Sequence, residues 1–412
     1  MASIRPEGLV LQRDDHRGQA VLGFGLESVA YLGGDEGRRA LDEVAALPLT
    51  PATLVADIAS ARTRFGDRAG VLVETVRLRR KAADKLPGTA GWLFTDEALQ
   101  QATAGAVAAH RARRLAGRPV HDATCSVGTE LAALADHASY VVGSDLDPVR
   151  LAMARHNLAT DGRGVPLLRA DALRPVTRDT VVLLDPARRS GGRRTFDPRA
   201  YAPPLDAVLD TYAGRDVAVK CAPGVDFNAV RDLGFDGEIE ITSYGGSVRE
   251  ACLWSAGLAP AGVTRRASLL DRAEELTDAD PDDCAVGPAG RWIVDPDGAV
   301  VRAGLVRHYA ARHGLWQLDP DIAYLSGDRL PDGVRGFEVL EQVSYQEKRL
   351  RQALAAHDAG ALEILVRGVD ADPDALRRRL RPRGSAAVSV VITRLGAGTA
   401  SRATAFICRP SR

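Results

Sequence analysis

Apolar residues recur with a helical period through most of the first hundred positions, and beyond them the period changes. Residues 1–35 are weakly patterned. From Asp35 a helical rhythm sets in. Thr50-Pro51 supplies a cap with proline at the first helical position, and Leu54, Ile58 and Ala61 keep a period of 3.6 as far as Gly66. A second helix is predicted over 67–86, ending in Leu86-Pro87-Gly88. A third opens at Thr95, whose hydroxyl can cap the next turn, and runs through Leu99, Ala102, Val107 and Ala108 to Gly117. The segment 1–118 therefore reads as a helical unit.

At Pro119 short apolar runs begin to alternate with helical stretches. The runs lie at 120–123, 140–144, 165–168, 181–184, 217–219, 239–242 and 251–254; helical segments are predicted at 130–138, 149–159, 205–212 and 227–233. Strands alternating with helices imply βαβ units and a parallel sheet covered on both faces. The last two runs lack a helix between them, so they are expected to pair antiparallel at an edge. This block of seven strands spans 119–258. The stretch 259–330 is rich in Asp, Gly and Pro and reads as a connecting segment, its clearest element a helix over 299–313 capped by Asp297 and stopped by Gly314. The final block, 331–412, reads strand (337–343), helix (346–356), strand (361–366), helix (372–380), strand (387–393), strand (400–408), a small α+β unit able to fold alone.

Composition narrows the class. The 412 residues are 45% apolar and 26% charged, which suits a globular protein, and 54 basic side chains balance 54 acidic ones. A globally basic nucleic-acid coat is excluded. Only four of the cations are lysines (Lys81, Lys85, Lys220 and Lys348), so arginine dominates. No run approaches 18 apolar residues, and residues 1–7 meet charge at once without an apolar signal core, so a cytoplasmic protein with no membrane partner is expected. The five cysteines form no C-x-x-C pair, and the histidines show no ligand spacing, so no metal site is expected.

The candidate chemistry gathers at strand ends. After the first strand comes Asp122-Ala123-Thr124-Cys125-Ser126-Val127-Gly128-Thr129, a small turn that lets the backbone approach a ligand closely. The second strand ends at Asp145, followed by Leu146, and an acid there can accept hydrogen bonds from both hydroxyls of a ribose. Asp171, just past the third strand, can accept from an adenine amine. Three acids at three successive strand ends mark the edge where open α/β sheets bind ligands. These residues resemble the class I S-adenosylmethionine-dependent methyltransferases over 119–256. The resemblance implies a Rossmann-like seven-strand domain and S-adenosyl-L-methionine as cofactor. It places Asp122, Thr124, Cys125, Ser126 and Gly128 near the methionine part, Asp145 and Leu146 at the ribose, and Asp171 near adenine. Ser126 stands where the family carries a glycine; a negative φ is expected to accommodate it.

The fourth strand runs into Asp185-Pro186-Ala187-Arg188-Arg189. Methyltransferases of exocyclic base amines carry a similar tetrapeptide (Asp or Asn, Pro, Pro, aromatic), in which the acid and the following carbonyl accept the two amine hydrogens. Here Ala187 and Arg188 replace the third and fourth residues, and a guanidinium plane can stack on a base or grip a phosphate. Arg188, Arg189, Arg193 and Arg194 crowd one glycine loop, suited either to a polyanion or to plain solvation. Lys220, ending the fifth strand, can contact a phosphate or base carbonyl, or snorkel over the sheet rim. The whole chain resembles a bacterial methyltransferase family with a THUMP-like C-terminal domain, through the segment from Phe94 to Thr103, the Asp185–Arg189 motif and the final α+β unit. The central domain is also similar to trimethylguanosine synthases. The THUMP-like resemblance implies RNA delivery by a ferredoxin-like terminal domain, with rRNA and tRNA both open as substrate. The run Arg377-Arg378-Arg379-Leu380-Arg381-Pro382-Arg383 fits this, and equally fits a helix C-terminus that favours cations. The expectation is an RNA methyltransferase acting on a base amine. The alternatives are a non-catalytic RNA-binding protein of the same fold and a small-molecule methyltransferase.

Overall fold

The computed structural model describes residues 24–411, apart from 188, 191, 192, 195, 196, 397, 399 and 400. It divides into two compact units, 1–221 with 228–233, and 222–227 with 234–412.

Among the described residues the first unit begins with six α-helices: α1 (Leu26–Gly33), α2 (Asp35–Ala45), α3 (Leu54–Phe65), α4 (Ala69–Ala82), α5 (Asp96–Gln101) and α6 (Gly105–Arg114). Thr95 caps α5 as its position suggests, its hydroxyl accepting the Ala98 N–H. Leu32, Leu41, Leu72, Trp92 and Phe94 form a core that extends to Val127 and Met153 of the following α/β layer. Asn157, fully buried, fastens the two parts. Its carbonyl accepts the Leu93 N–H at 2.7 Å, and its amide donates to Leu93 O and Val127 O.

The α/β layer follows as β1 (Pro119–Asp122), α7 (Thr129–Ala135), β2 (Tyr140–Asp145), α8 (Pro148–Thr160), β3 (Leu167–Arg169), β4 (Val181–Leu184), the two-residue ribbon strands β5 (Arg189–Ser190) and β6 (Arg193–Arg194), α9 (Leu205–Thr211) and β7 (Val217–Cys221). Apolar runs such as Val181–Leu184, buried at every position, suit strands covered on both faces. The order is β3-β2-β1-β4-β7, parallel throughout. The order reverses between β1 and β4, so the carboxyl ends of those two strands flank a topological switch point, where such sheets open a crevice.

The last two strands of the expected seven, β8 (Glu238–Tyr244) and β9 (Ser247–Trp254), follow the short α10 (Phe227–Arg231) and pair antiparallel as anticipated. They belong to the second unit, where β10 (Arg265–Leu269) joins β8 in parallel and β11 (Glu274–Thr277) joins β10. The stretch 259–330 is therefore not the strand-poor connector its composition suggests: it also holds β12 (Trp292–Val294), α11 (Gly298–Arg302), α12 (Val306–His313), β13 (Trp316–Asp319) and β14 (Ile322–Gly327). Its strands read as polar because their polar residues are paired inside. Arg266 meets the buried Glu238, and the Ser268 hydroxyl donates to Glu240. The single helix expected over 299–313 is two, broken where Gly304 takes φ 70°, although Asp297 and Gly314 cap it as expected.

The closing elements match the sequence pattern closely: β15 (Gly336–Ser344), α13 (Glu347–Ala356), β16 (Ala359–Arg367), α14 (Pro373–Leu380), β17 (Ala386–Leu395) and β18 (Arg402–Pro410). They build a seven-stranded sheet with the preceding strands in the order β13-β14-β12-β15-β18-β17-β16. Leu350, Leu354, Leu376 and Leu380 of the two helices pack with Ile364, Val390, Ile392 and Ile407. Among the described residues no helix is long and apolar enough to cross a membrane.

Candidate active site

A cavity of about 520 Å³ opens at the switch point, within the range of small-molecule and cofactor sites. Its wall brings together Asp122, Thr124, Cys125, Ser126, Asp145, Leu146, Asp171, Asp185 and Lys220, nine of the residues the sequence singles out. Gly128 lies at the end of the turn, starting α7 with φ 92°, and a Cβ there would sit 3.4 Å from that of Ala154. Pro186 is buried behind Asp185. Arg188 lies outside the described residues, as do the side chains of Arg189, Arg193 and Arg194; the backbones of these three form the β5–β6 ribbon.

Asp122 closes β1 in a buried position. Its Oδ1 accepts the Thr124 N–H at 3.1 Å, while Oδ2 accepts no hydrogen bond from the described residues. Burial, reinforced by the nearby Glu130 carboxylate, pushes the Asp122 carboxyl up to about 8. The turn that follows corrects one expectation: Ser126 adopts φ 49°, not a negative angle. The left-handed conformation costs a non-glycine residue about 1–2 kcal/mol. In the fold it directs the Ser126 N–H to Asp145 Oδ2 at 2.9 Å, a charge-assisted bond that offsets the strain. Asp145 Oδ1 accepts the Asp147 N–H, also at 2.9 Å. A carboxylate has about four acceptor positions, so roughly two remain for hydroxyls. Asp171 accepts the Leu173 N–H through Oδ1, and Leu146 stands exposed beside Asp145.

Asp185 meets the turn after β1 from the end of β4. Its main-chain N–H donates to Thr124 Oγ1 at 2.6 Å, and its Oδ2 accepts from Lys220 Nζ at 2.5 Å. Lys220 is turned inward, with its ammonium also on Thr103 Oγ1 at 2.5 Å and 3.4 Å from Glu130 Oε1. Glu130 in turn pairs with the buried Arg111 at 2.6 Å. Burial raises the Glu130 carboxyl, but the Arg111 and Lys220 cations outweigh it and hold it down at about 2. Thr103, Arg111 and Glu130 were not singled out from the sequence. Their signal was a charge inside an apolar stripe: Arg111 shares the face of Val107, Ala108 and Leu115, and Glu130 that of Leu134.

Two Mycobacterium tuberculosis proteins, from strains CDC 1551 and H37Rv, are each 69% identical to this chain over 357 residues, covering 85% of it and all of their own length. Both are described as uncharacterised S-adenosylmethionine-dependent methyltransferases. The chain belongs to the S-adenosylmethionine-dependent methyltransferases. A crystal structure of a Porphyromonas gingivalis W83 protein, named as a methyltransferase by inference, superposes on this methyltransferase with a TM-score of 0.70 at 17% identity, covering 95% of this chain and 100% of that one. Residues 334–410 match the family described as THUMP domain-like, and residues 25–82 match a domain of unknown function, DUF8688.

The methyltransferase uses S-adenosylmethionine, and the cavity suits it: an uncommitted buried oxygen at Asp122, acceptor capacity left at Asp145, and a further carboxylate in the wall at Asp171. When bound, that cofactor supplies a methyl group made electrophilic by a sulfonium.

Proposed function

We propose that this methyltransferase modifies an exocyclic base amine in RNA. The observation that carries the reading is the state of Asp185. One carboxylate oxygen is held by Lys220 and the other accepts no hydrogen bond from the described residues, at the wall of the cavity that holds the cofactor residues. Such an oxygen, with the carbonyl of Pro186, accepts the two hydrogens of an amine and turns the nitrogen lone pair toward the methyl group. Positioning of that kind replaces entropy otherwise lost in the encounter, and no strong base is needed before transfer.

RNA as the polymer is supported by the THUMP domain-like match and by an arginine-lined hollow at the end of α14. Arg378, Arg381 and Arg383 border it and make no ion pair among the described residues, whereas Arg351 and Arg379 share Glu347. Unpaired guanidiniums around a concave surface suit phosphates of a strand. A cytoplasmic location fits the same reading. The test is transfer of labelled methyl to total RNA, protein and small-molecule pools. Label in RNA, recovered as an N-methylated base, supports the proposal. Label confined to small molecules overturns it, and cofactor binding without transfer to any pool favours a non-catalytic binding protein.

A further inference from the structure

Four charges of alternating sign run from the core to the reaction edge. The side chains of Arg111, Glu130, Lys220 and Asp185 are 2%, 8%, 6% and 28% exposed, and successive contacts measure 2.6, 3.4 and 2.5 Å. Buried ion pairs return little net stability, because desolvation consumes most of the attraction, and apolar replacements are often as stable. Four such groups in one line are thus poorly explained as a stability device. Their outcome at the cavity is specific. The Lys220 ammonium has three donors and meets three acceptors, Thr103 Oγ1, Glu130 Oε1 and Asp185 Oδ2. It is therefore occupied by the protein and fixes which carboxylate oxygen of Asp185 is taken up by the lysine.

We propose that Lys220, braced by Glu130 and Arg111, is a positioning residue that holds Asp185 as an acceptor and so restricts the site to a substrate edge that donates hydrogen bonds, an amine rather than a carbonyl. The inference rests on the functional reading above and deepens it. A carboxylate only accepts, so a carbonyl placed against it meets an unpaired lone pair, and a buried acceptor without a donor is costly. Thr103 joins the approach segment between α5 and α6 to the same device.

The geometry makes the epistasis of two substitutions change sign. In Asp185→Asn, Lys220 still takes the oxygen, so the amide presents its NH₂ to the substrate amine, donor against donor. Removing the lysine as well frees the amide to rotate and offer its oxygen. The experiment measures methyl transfer from labelled S-adenosylmethionine to total RNA from cells lacking the enzyme. It compares full-length wild type, Lys220→Met, Lys220→Arg, Asp185→Asn and Asp185→Asn/Lys220→Met, with cofactor affinity by calorimetry. The expected result is that Lys220→Met lowers kcat at least tenfold in the wild-type background with cofactor affinity within about threefold. Lys220→Arg falls between, and in the Asp185→Asn background Lys220→Met raises kcat severalfold. Equal losses in both backgrounds overturn the proposal, as does methylation at a carbonyl or carbon position. Should Lys220→Met fail to fold, Glu130→Gln replaces it: it loosens the lysine and must show the same change of sign. Wild type that labels no RNA sinks the RNA reading alone, and the cycle is then read on the pool it does label.

Discussion

The main-chain N–H of Asp185 donates to the Thr124 hydroxyl across 2.6 Å, joining the end of β4, where we propose the substrate binds, to the turn that follows β1. In the proposed reading a shift of either strand end is felt by both reactants. Thr124→Val keeps the side-chain shape and leaves that N–H without an acceptor, which should cost about 1–3 kcal/mol of stability. Denaturant midpoints check this. Turnover should fall with it, and Thr124→Ser, which keeps the hydroxyl, should remain near wild type in both.

Asp145 presents a second case. Asp145→Ala should lose two charge-assisted bonds to the cofactor, about 2–4 kcal/mol of affinity by calorimetry. It also releases the N–H groups of Ser126 and Asp147, so the left-handed Ser126 loses its compensation. Ser126→Gly in that variant should recover part of the stability, and unchanged cofactor affinity in Asp145→Ala would move the ribose site elsewhere on the sheet.

Asp122 gives a pH dependence whose sign follows from its burial. The carboxyl titrates at about 8 in the fold against an ordinary 3.8, so between those values the unfolded chain has released a proton that the folded chain retains. Stability contributed by this group therefore falls as pH rises through that window. Asp122→Asn has nothing to titrate there. Urea midpoints at about pH 5 and pH 7.5 should show the variant gaining on wild type as pH rises; a constant difference would contradict the protonated state. Glu130 acts in the opposite sense. Held down at about 2, it contributes stability present above its unfolded value and lost as pH falls toward 2.

Two arginine clusters are candidates for the proposed RNA contact, and salt dependence separates them. Each phosphate neutralised on a single strand contributes about 0.7 to the slope of log affinity against log salt. Changing Arg378, Arg381 and Arg383 together to Gln should flatten the slope by up to about two units, and Arg193→Ala/Arg194→Ala by about one. Cofactor affinity should not move in either. Unchanged slopes in both variants would mean that these arginines are merely solvated.

How much of this was visible beforehand follows the strength of local patterning. Apolar runs such as Val181–Leu184 and the terminal β–α–β–α–β–β block are long and regular, so strand and helix stood out, and acids at strand ends located the cavity. The strands from Arg265 to Gly327 did not stand out, because Arg266 and Ser268 are polar residues whose partners, Glu238 and Glu240, lie 28 positions away. Separation along the chain also hid the charge ladder: Thr103 and Glu130 lie 117 and 90 positions from Lys220 and converge on it only when the sheet forms. Ser126 shows a local rule overridden. Its positive φ is held by Asp145, a contact no neighbouring residue announces.

The central claim is that Asp185 holds the substrate and not the cofactor. It is tested most directly by measuring methyl transfer to RNA and cofactor affinity side by side in Asp185→Ala. Lost turnover with cofactor affinity within a few-fold of wild type is the result expected. Full activity in that variant, or loss of cofactor binding, would contradict it.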